Sequence, residues 1–477
     1  MRPHDDFSSE PCAAGCGAPH RGGTARLPAW VVAAFAAPCM PIAALGLPIS
    51  LYLPQFYASD MGLGLGAVGT VFMLARIWDV ITDPMIGIVS DRYPSRWGHR
   101  RHWLVIATPL ICLATYFLFL PRAPVSPSYL LGWLLLLYLG WTMFTIPHLS
   151  WGAELSDDYH ERSRVHGFRE GAEIIGIPLV LAAPAVIESI GGPEMDANRV
   201  AAMGLFIIVL LPIAMLISIG LVKERPATPQ PRLSLQVAVR TIAGNRPLRR
   251  LVAADAISGS SGAAVGALFL YVATHRWGLG NSASLLMLIY FIAGLGFVPL
   301  VLKMSYRFGK QRTLVGCCAF YVVGPPLALI VPTGNLAAAA ALMILLGVNV
   351  GGAGVLFRSI MADVADLDEL ESGQKRTGLL YSFLALTRKA GSAFAVGATF
   401  WALQLIGFQP GTSNSILVTR NLTSLFVIAP VVGNLAVILI MWRFPLGMGA
   451  HAAIQRQLHE RRINTATADD VAPAAAD

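Results

Sequence analysis

Three ionisable residues fall on one face of an otherwise apolar stretch. In Leu74-Ala-Arg-Ile-Trp-Asp-Val-Ile-Thr-Asp-Pro84, residues Arg76, Asp79 and Asp83 stand at i, i+3 and i+7, a spacing that aligns them along one side of a helix. At the centre of a bilayer each charge costs about 2.5–3.5 kcal/mol. They must therefore face a cavity, or one another. Two chemistries suit paired carboxylates at that depth. One is coordination of a hard cation such as sodium, helped by the Thr82 hydroxyl and by the Val80 carbonyl, which Pro84 deprives of its helical donor. The other is a shared proton, because two close carboxylates do not readily ionise together. A buried ion pair that only fixes packing is the structural alternative.

Further charges interrupt other apolar runs. Arg169 and Glu173 stand at i and i+4. Arg169 either snorkels to water at a helix end or points into a cavity toward substrate. Arg388 and Lys389 lie within a small and apolar stretch. One of them is expected to face inward, with Asp79 and Asp83 as its obvious partners. Asp255 precedes Ser258-Gly-Ser-Ser-Gly262 and reads either as a second protonatable group or as a helix-entry charge. The acidic run Asp363, Asp366, Asp368, Glu369 and Glu371 is expected at a cytoplasmic helix end, as a solvated loop or a salt-bridged inner gate. No phosphate loop, metal cluster or nucleophile–base pair is recognisable, so neither an enzyme nor a cofactor is expected. The six cysteines form no disulfide framework; Cys39, Cys112, Cys317 and Cys318 read as packing residues, while Cys12 and Cys16 lack partners at a zinc-binding spacing.

The elements that must hold these groups are membrane helices. Of 477 residues 55% are hydrophobic and only 13% charged, against about 25% in soluble domains. Twelve long apolar runs are expected to span, near 29–53, 64–90, 103–121, 129–152, 172–190, 201–222, 250–273, 283–304, 313–333, 336–361, 377–405 and 421–443. They are continuous rather than alternating, which favours helices over a barrel. The net charge of +8 does not point to nucleic acid. Its basic residues sit in short loops after the second, fourth, sixth and eighth runs, which marks that side as cytoplasmic. Both termini are then inside. The proline-bearing segment 223–249 divides the runs six and six. The expected organisation is a cytoplasmic tail over 1–26, a bundle over 27–222, that linker, a second bundle over 250–447, and a cytoplasmic, disordered tail over 448–477. The chain is expected to act as a monomer in the inner membrane, with a small molecule and the lipid bilayer as its partners.

Several motifs run in order along nearly the whole chain: Ala75-Arg-Ile-Trp-Asp-Val-Ile-Thr-Asp-Pro-Met-Ile-Gly87, Ser90-Asp-Arg, Ser95-Arg-Trp-Gly98, Trp151-Gly-Ala-Glu-Leu-Ser156, Phe168-Arg-Glu170, Met361-Ala-Asp-Val-Ala-Asp-Leu-Asp-Glu369 and Arg388-Lys-Ala-Gly391. Together they resemble the glycoside–pentoside–hexuronide:cation symporters, the melibiose-permease branch of the major facilitator superfamily. The resemblance implies an all-α protein of two six-helix bundles working by alternating access. It implies a cation site at Asp79 and Asp83, substrate binding by Arg169, and Lys389 close to the cation. Arg76, Asp91, Arg92, Asp363, Asp366 and Arg388 are then charge partners or gate residues, with Glu173, Asp255 and Lys389 itself as further substrate-binding candidates. The pattern departs from the family at two acids. The helix-one region Pro41 to Gly46 carries none, and on helix four Thr145 stands where the family has a carboxylate shared between cation and sugar. Thr145 is therefore expected to join the cation site as a neutral ligand, and the loss of hard oxygens favours a proton over sodium. A carrier of lipids or amphiphiles is the rival reading within the same fold.

Overall fold

The computed structural model describes residues 26–93, 95, 98–156, 159–190, 195–224, 244–373 and 377–471. These residues are helical throughout, apart from turns and one isolated bridge between Ser95 and Gly98. The helices are α1 (Ala29–Ser59), α2 (Leu65–Arg92), α3 (Arg101–Phe119), α4 (Pro127–Glu154), α5 (Tyr159–Ile190), α6 (Met195–Leu221), α7 (Arg246–His275), α8 (Ala283–Phe308), α9 (Lys310–Val323), α10 (Leu336–Ser372), α11 (Thr377–Leu405), α12 (Ile416–Met441) and α13 (Met448–Val471). Among the described residues, ten spans are long and apolar enough to cross a membrane: α1 to α4, α6 to α8, α10, α12, and α9 together with the 3-10 turn that carries it on to Leu329. The other long helices are α5, α11 and α13. The first two carry the charges Arg169, Glu170 and Glu173, and Arg388 and Lys389.

Prolines and caps explain the local course of the chain. Pro38, Pro41, Pro48 and Pro54 interrupt α1, which breaks after Ala36 and passes through a π turn at Pro48–Tyr52 because each proline removes a backbone donor. Ser126, Asn245, Asn335 and Ser415 cap α4, α7, α10 and α12 by accepting the amide three residues on. Pro84 lies inside a continuous α2. That helix has two faces. Leu74, Ile77, Ile81, Met85 and Ile88 are exposed, whereas Asp79 is only 1% exposed. The exposed apolar side suits lipid, and the charged side packs on α4 and α11.

The two halves of the sequence meet through α2 against α11, α5 against α8 and α1 against α7. At one end the seam is tight. The Tyr52 and Ser284 hydroxyls are 2.8 Å apart, and the Trp401 indole donates to Thr70 Oγ1 at 3.3 Å. Toward the other end a cavity of about 1730 Å³ opens between the halves and reaches Glu170, Arg358, Asp366 and Glu369. Helix α7 packs closely on α11 because Gly391 has no side chain; a Cβ there would fall 2.9 Å from the Ala256 carbonyl oxygen.

The C-terminal tail corrects one expectation. The composition of 448–477 suggests disorder, yet Met448–Val471 is helical. The overlooked signal is the pair Ile454 and Leu458 at i and i+4, both buried in the cluster formed by α7, α10 and α12. Residues 1–25 and 225–243 lie outside the described residues, and with them Cys12, Cys16 and most of the expected linker.

Candidate cation and solute site

The charged face of α2 meets α4 and α11 at one point. Lys389 Nζ lies 2.7 Å from Asp83 Oδ2 and 3.2 Å from Asp79 Oδ2. On the opposite side, the Thr142 hydroxyl is 2.9 Å from Asp83 Oδ1 and 3.3 Å from Asp79 Oδ1. One hydroxyl hydrogen serves both carboxylates in turn. Arg76 Nη1 stands 3.7 Å from Asp79 Oδ2 while its guanidinium covers the Tyr138 ring at 4.8 Å. Two acids and two cations thus form a formally neutral group of which Asp79 is the most deeply buried member.

Three sequence expectations change here. Thr145 does not join the site: its hydroxyl donates to the Trp141 carbonyl of its own helix at 2.8 Å. Thr142, one turn away, takes the place expected of it. The Thr82 hydroxyl likewise bonds within α2, to the Asp79 carbonyl at 3.1 Å, and is no side-chain ligand. Lys389, expected among the substrate-binding residues, is committed to the α2 carboxylates although it also borders the cavity. The threonine exchange gives a direct test. Thr142→Val should shift coupling-ion affinity about tenfold, the worth of a hydrogen bond to a charged group: upward for a proton, because the hydroxyl donates to the ionised carboxylates and so favours them unprotonated, and downward for sodium, which would lose an oxygen ligand. Thr145→Val should leave it unchanged. Ion titrations of solute uptake would measure both, and equal effects would remove Thr142 from the site.

The remaining candidates form separate pairs. Arg169 and Glu173 bond at 2.8 Å on α5. Arg388 pairs with Asp255 at 2.7 Å. Arg358 on α10 bonds Glu170 on α5, linking the halves near the cavity mouth; the sequence marks neither residue as a site candidate. The expected gate acids pair within the C-terminal half. Asp363 bonds Lys310 at 2.5 Å, and Asp366 meets His451 at 3.0 Å and Gln455 at 2.6 Å on α13. Arg92 is exposed, and the side chain of Asp91 lies outside the described residues. Among the described residues no three His, Cys, Asp or Glu side chains gather as metal ligands.

Cys39 and His148 hold α4 to the break in α1. His148 stacks between Phe35 and Phe144, with ring centroids 4.2 and 5.0 Å apart. Its Nε2 lies 3.0 Å from the Phe35 carbonyl, which only accepts. The proton is therefore on Nε2, and Nδ1 accepts from Cys39 Sγ at 3.6 Å.

Residues 34–448 match the family described as MFS/sugar transport protein. The chain belongs to that family. It is a multi-span membrane transporter, not an enzyme, and its resemblance to the symporter branch holds. The chain is 25% identical over 420 residues to the putative glycoside/cation symporter YagG of Escherichia coli K12, covering 86% of this chain and 90% of that one. It is 24% identical over 457 residues to the sodium-dependent lysophosphatidylcholine symporter 1 of Homo sapiens, covering 84% and 82%. The crystal structure of the nucleoside transporter NupG superposes with a TM-score of 0.62 at 13% identity, covering 88% of this chain and all of that one. This last likeness concerns the major facilitator fold alone.

Proposed function

We propose that this member of the family is a symporter that carries a small sugar- or glycoside-like solute across the inner membrane, coupled to protons at Asp79 and Asp83. The observation that carries the reading is the Lys389 ammonium. It comes from the other half of the sequence and sits against both carboxylates, at 3.2 and 2.7 Å, where a coupling cation would bind. A proton arriving at the carboxylates weakens their hold on Lys389 and so biases the packing of α2 on α11, which joins the halves. Sodium is the poorer fit, because Thr142 is the one neutral side-chain oxygen that bonds the carboxylates among the described residues, and hard cations need more oxygens. In this reading α5 and α11 also cross the bilayer, giving twelve spans in two bundles with both termini cytoplasmic. Their charges face the interior rather than lipid. The cavity mouth at Glu170, Arg358 and Asp366 is then the cytoplasmic opening, and the protein works as a monomer.

Uptake into proteoliposomes under imposed gradients tests the ion. A pH gradient should drive accumulation with no sodium present. Accumulation driven by sodium alone would reverse the assignment. A second reading, a carrier of amphiphiles, is favoured by the cavity itself. Its volume of about 1730 Å³ exceeds the roughly 300–1,000 Å³ of ordinary small-molecule sites, and Phe269, Met287, Phe291 and Phe426 give it an apolar wall.

A further inference from the structure

The arginines at the cavity-mouth end of the protein fall into two groups. Those of the N-terminal half are tied down. Arg100 pairs with Glu154 at 2.9 Å, Arg164 pairs with Glu161, and Arg101 donates to the Ile219 and Val222 carbonyls. Those where α7 begins are different. Arg246, Arg249 and Arg250 stand at i, i+3 and i+4, on one face of the first turns, and all three are exposed. Helix α12 packs along α7 and brings a fourth just past its end. This is Arg443, also exposed, whose carbonyl accepts from Arg250 Nη1 at 2.9 Å. Among the described residues, none of the four meets a carboxylate.

The neighbouring sequence holds no answer to this charge. No Asp or Glu occurs from residue 225 to 254, or from 372 to 459. Guanidiniums in the first turns of α7 also oppose the helix dipole, whose positive end lies there. An anion from outside the chain relieves both. What carries that anion is marked on α12. Ile428, Val432, Leu435, Leu439 and Trp442 are exposed, and their spacing sets them in one stripe along the helix. The stripe stops at Trp442, next to Arg443. An exposed apolar stripe on a membrane helix suits acyl chains, and a tryptophan at its end marks the headgroup level. Arginines just beyond it suit phosphate, which pairs with the forked N–H donors of a guanidinium. A soluble anion would need the arginines alone.

We infer that Arg246, Arg249, Arg250 and Arg443 bind the phosphodiester of an anionic phospholipid, whose acyl chains lie along the α12 stripe that ends at Trp442. Basic groups between membrane helices at the surface take such headgroups. The lipid holds the start of α7 to the end of α12, where a single hydrogen bond between two like-charged arginines otherwise joins them. What the cavity carries does not enter, and the reading of its mouth as cytoplasmic sets only which leaflet the lipid belongs to.

The test uses the full-length protein in phosphatidylcholine nanodiscs. These are doped with lipid brominated on its acyl chains, either phosphatidylglycerol or phosphatidylcholine, because bromine quenches a tryptophan it touches. Brominated phosphatidylglycerol should quench more than brominated phosphatidylcholine, and Trp442→Phe should lose most of that excess. Arg246→Gln combined with Arg249→Gln should lower the apparent affinity for phosphatidylglycerol about 25-fold, at about fivefold for each arginine near the surface. Thermal stability in pure phosphatidylcholine should stay the same, because neither side chain is tied to another group among the described residues. Arg92→Gln combined with Arg307→Gln removes the same charge from exposed positions elsewhere and should leave the lipid preference in place. Equal quenching by the two lipids, or an equal loss in the Arg92 and Arg307 variant, overturns the inference. Displacement of the lipid by millimolar glycerol 3-phosphate also overturns it, in favour of a soluble phosphate. None of these results touches the Asp79 and Asp83 assignment, which is read separately from gradient-driven accumulation in vesicles.

Discussion

Vesicles carrying Asp79→Asn are expected to equilibrate solute but not to accumulate it. A pH gradient of one unit stores about 1.4 kcal/mol, enough for about tenfold accumulation with one proton per solute. The wild type should approach that ratio, and the variant should stay near one. The argument starts from burial. Asp79 is 1% exposed and touches Lys389, Thr142 and Arg76, so its charge is the one most dependent on those partners. Asparagine keeps the shape and holds no titrating proton. Lys389 would remain on Asp83 at 2.7 Å, so the fold should survive and downhill flux should persist. Full accumulation by both Asp79→Asn and Asp83→Asn would place the coupling site elsewhere.

Lys389→Met should do comparable damage by a different route. Removing the ammonium leaves two carboxylates facing each other with Thr142 and the more distant Arg76. Breaking a buried pair from one side costs about 3–5 kcal/mol, and the lower end applies because Lys389 is 28% exposed. The variant should therefore unfold more readily in detergent, by about 3 kcal/mol in denaturant titrations. Adding Asp83→Asn restores the charge balance and should recover most of that loss. If the double variant is no more stable than the single one, Lys389 acts on something other than these carboxylates.

The sequence made the helices and the principal acids legible because both are expensive in a bilayer. Arg76, Asp79 and Asp83 stand out by cost alone, and the meeting with Lys389 comes from scarcity of partners. Thr142 was not legible. Threonine is cheap in a membrane helix, and whether Thr142 or Thr145 reaches α2 depends on the rotation of α4, which spacing along α4 cannot fix. The link between Arg358 and Glu170 was hidden for a related reason: it joins helices far apart in sequence, and each residue alone reads as an ordinary helix-end charge. In α13, average composition concealed two apolar residues one turn apart. Asp255 and Arg388 each stand out as charges, but their pairing depends on Gly259 letting the arginine lie flat, a property of three dimensions.

The two faces of α2 also restrict how the protein can move. Each residue inserted into a helix turns the remainder of that helix by about 100°. A single insertion between Gly69 and Leu74 would turn Asp79 and Asp83 away from Lys389 and bring Trp78 and Thr82 into their places. The helix is therefore torsionally pinned: it can lean, slide or pivot with its neighbours, but it cannot spin about its own axis. Whatever opens the tight seam at Tyr52 and Trp401 must then be a tilt of packed helices moving together, with the charged face of α2 kept turned inward throughout.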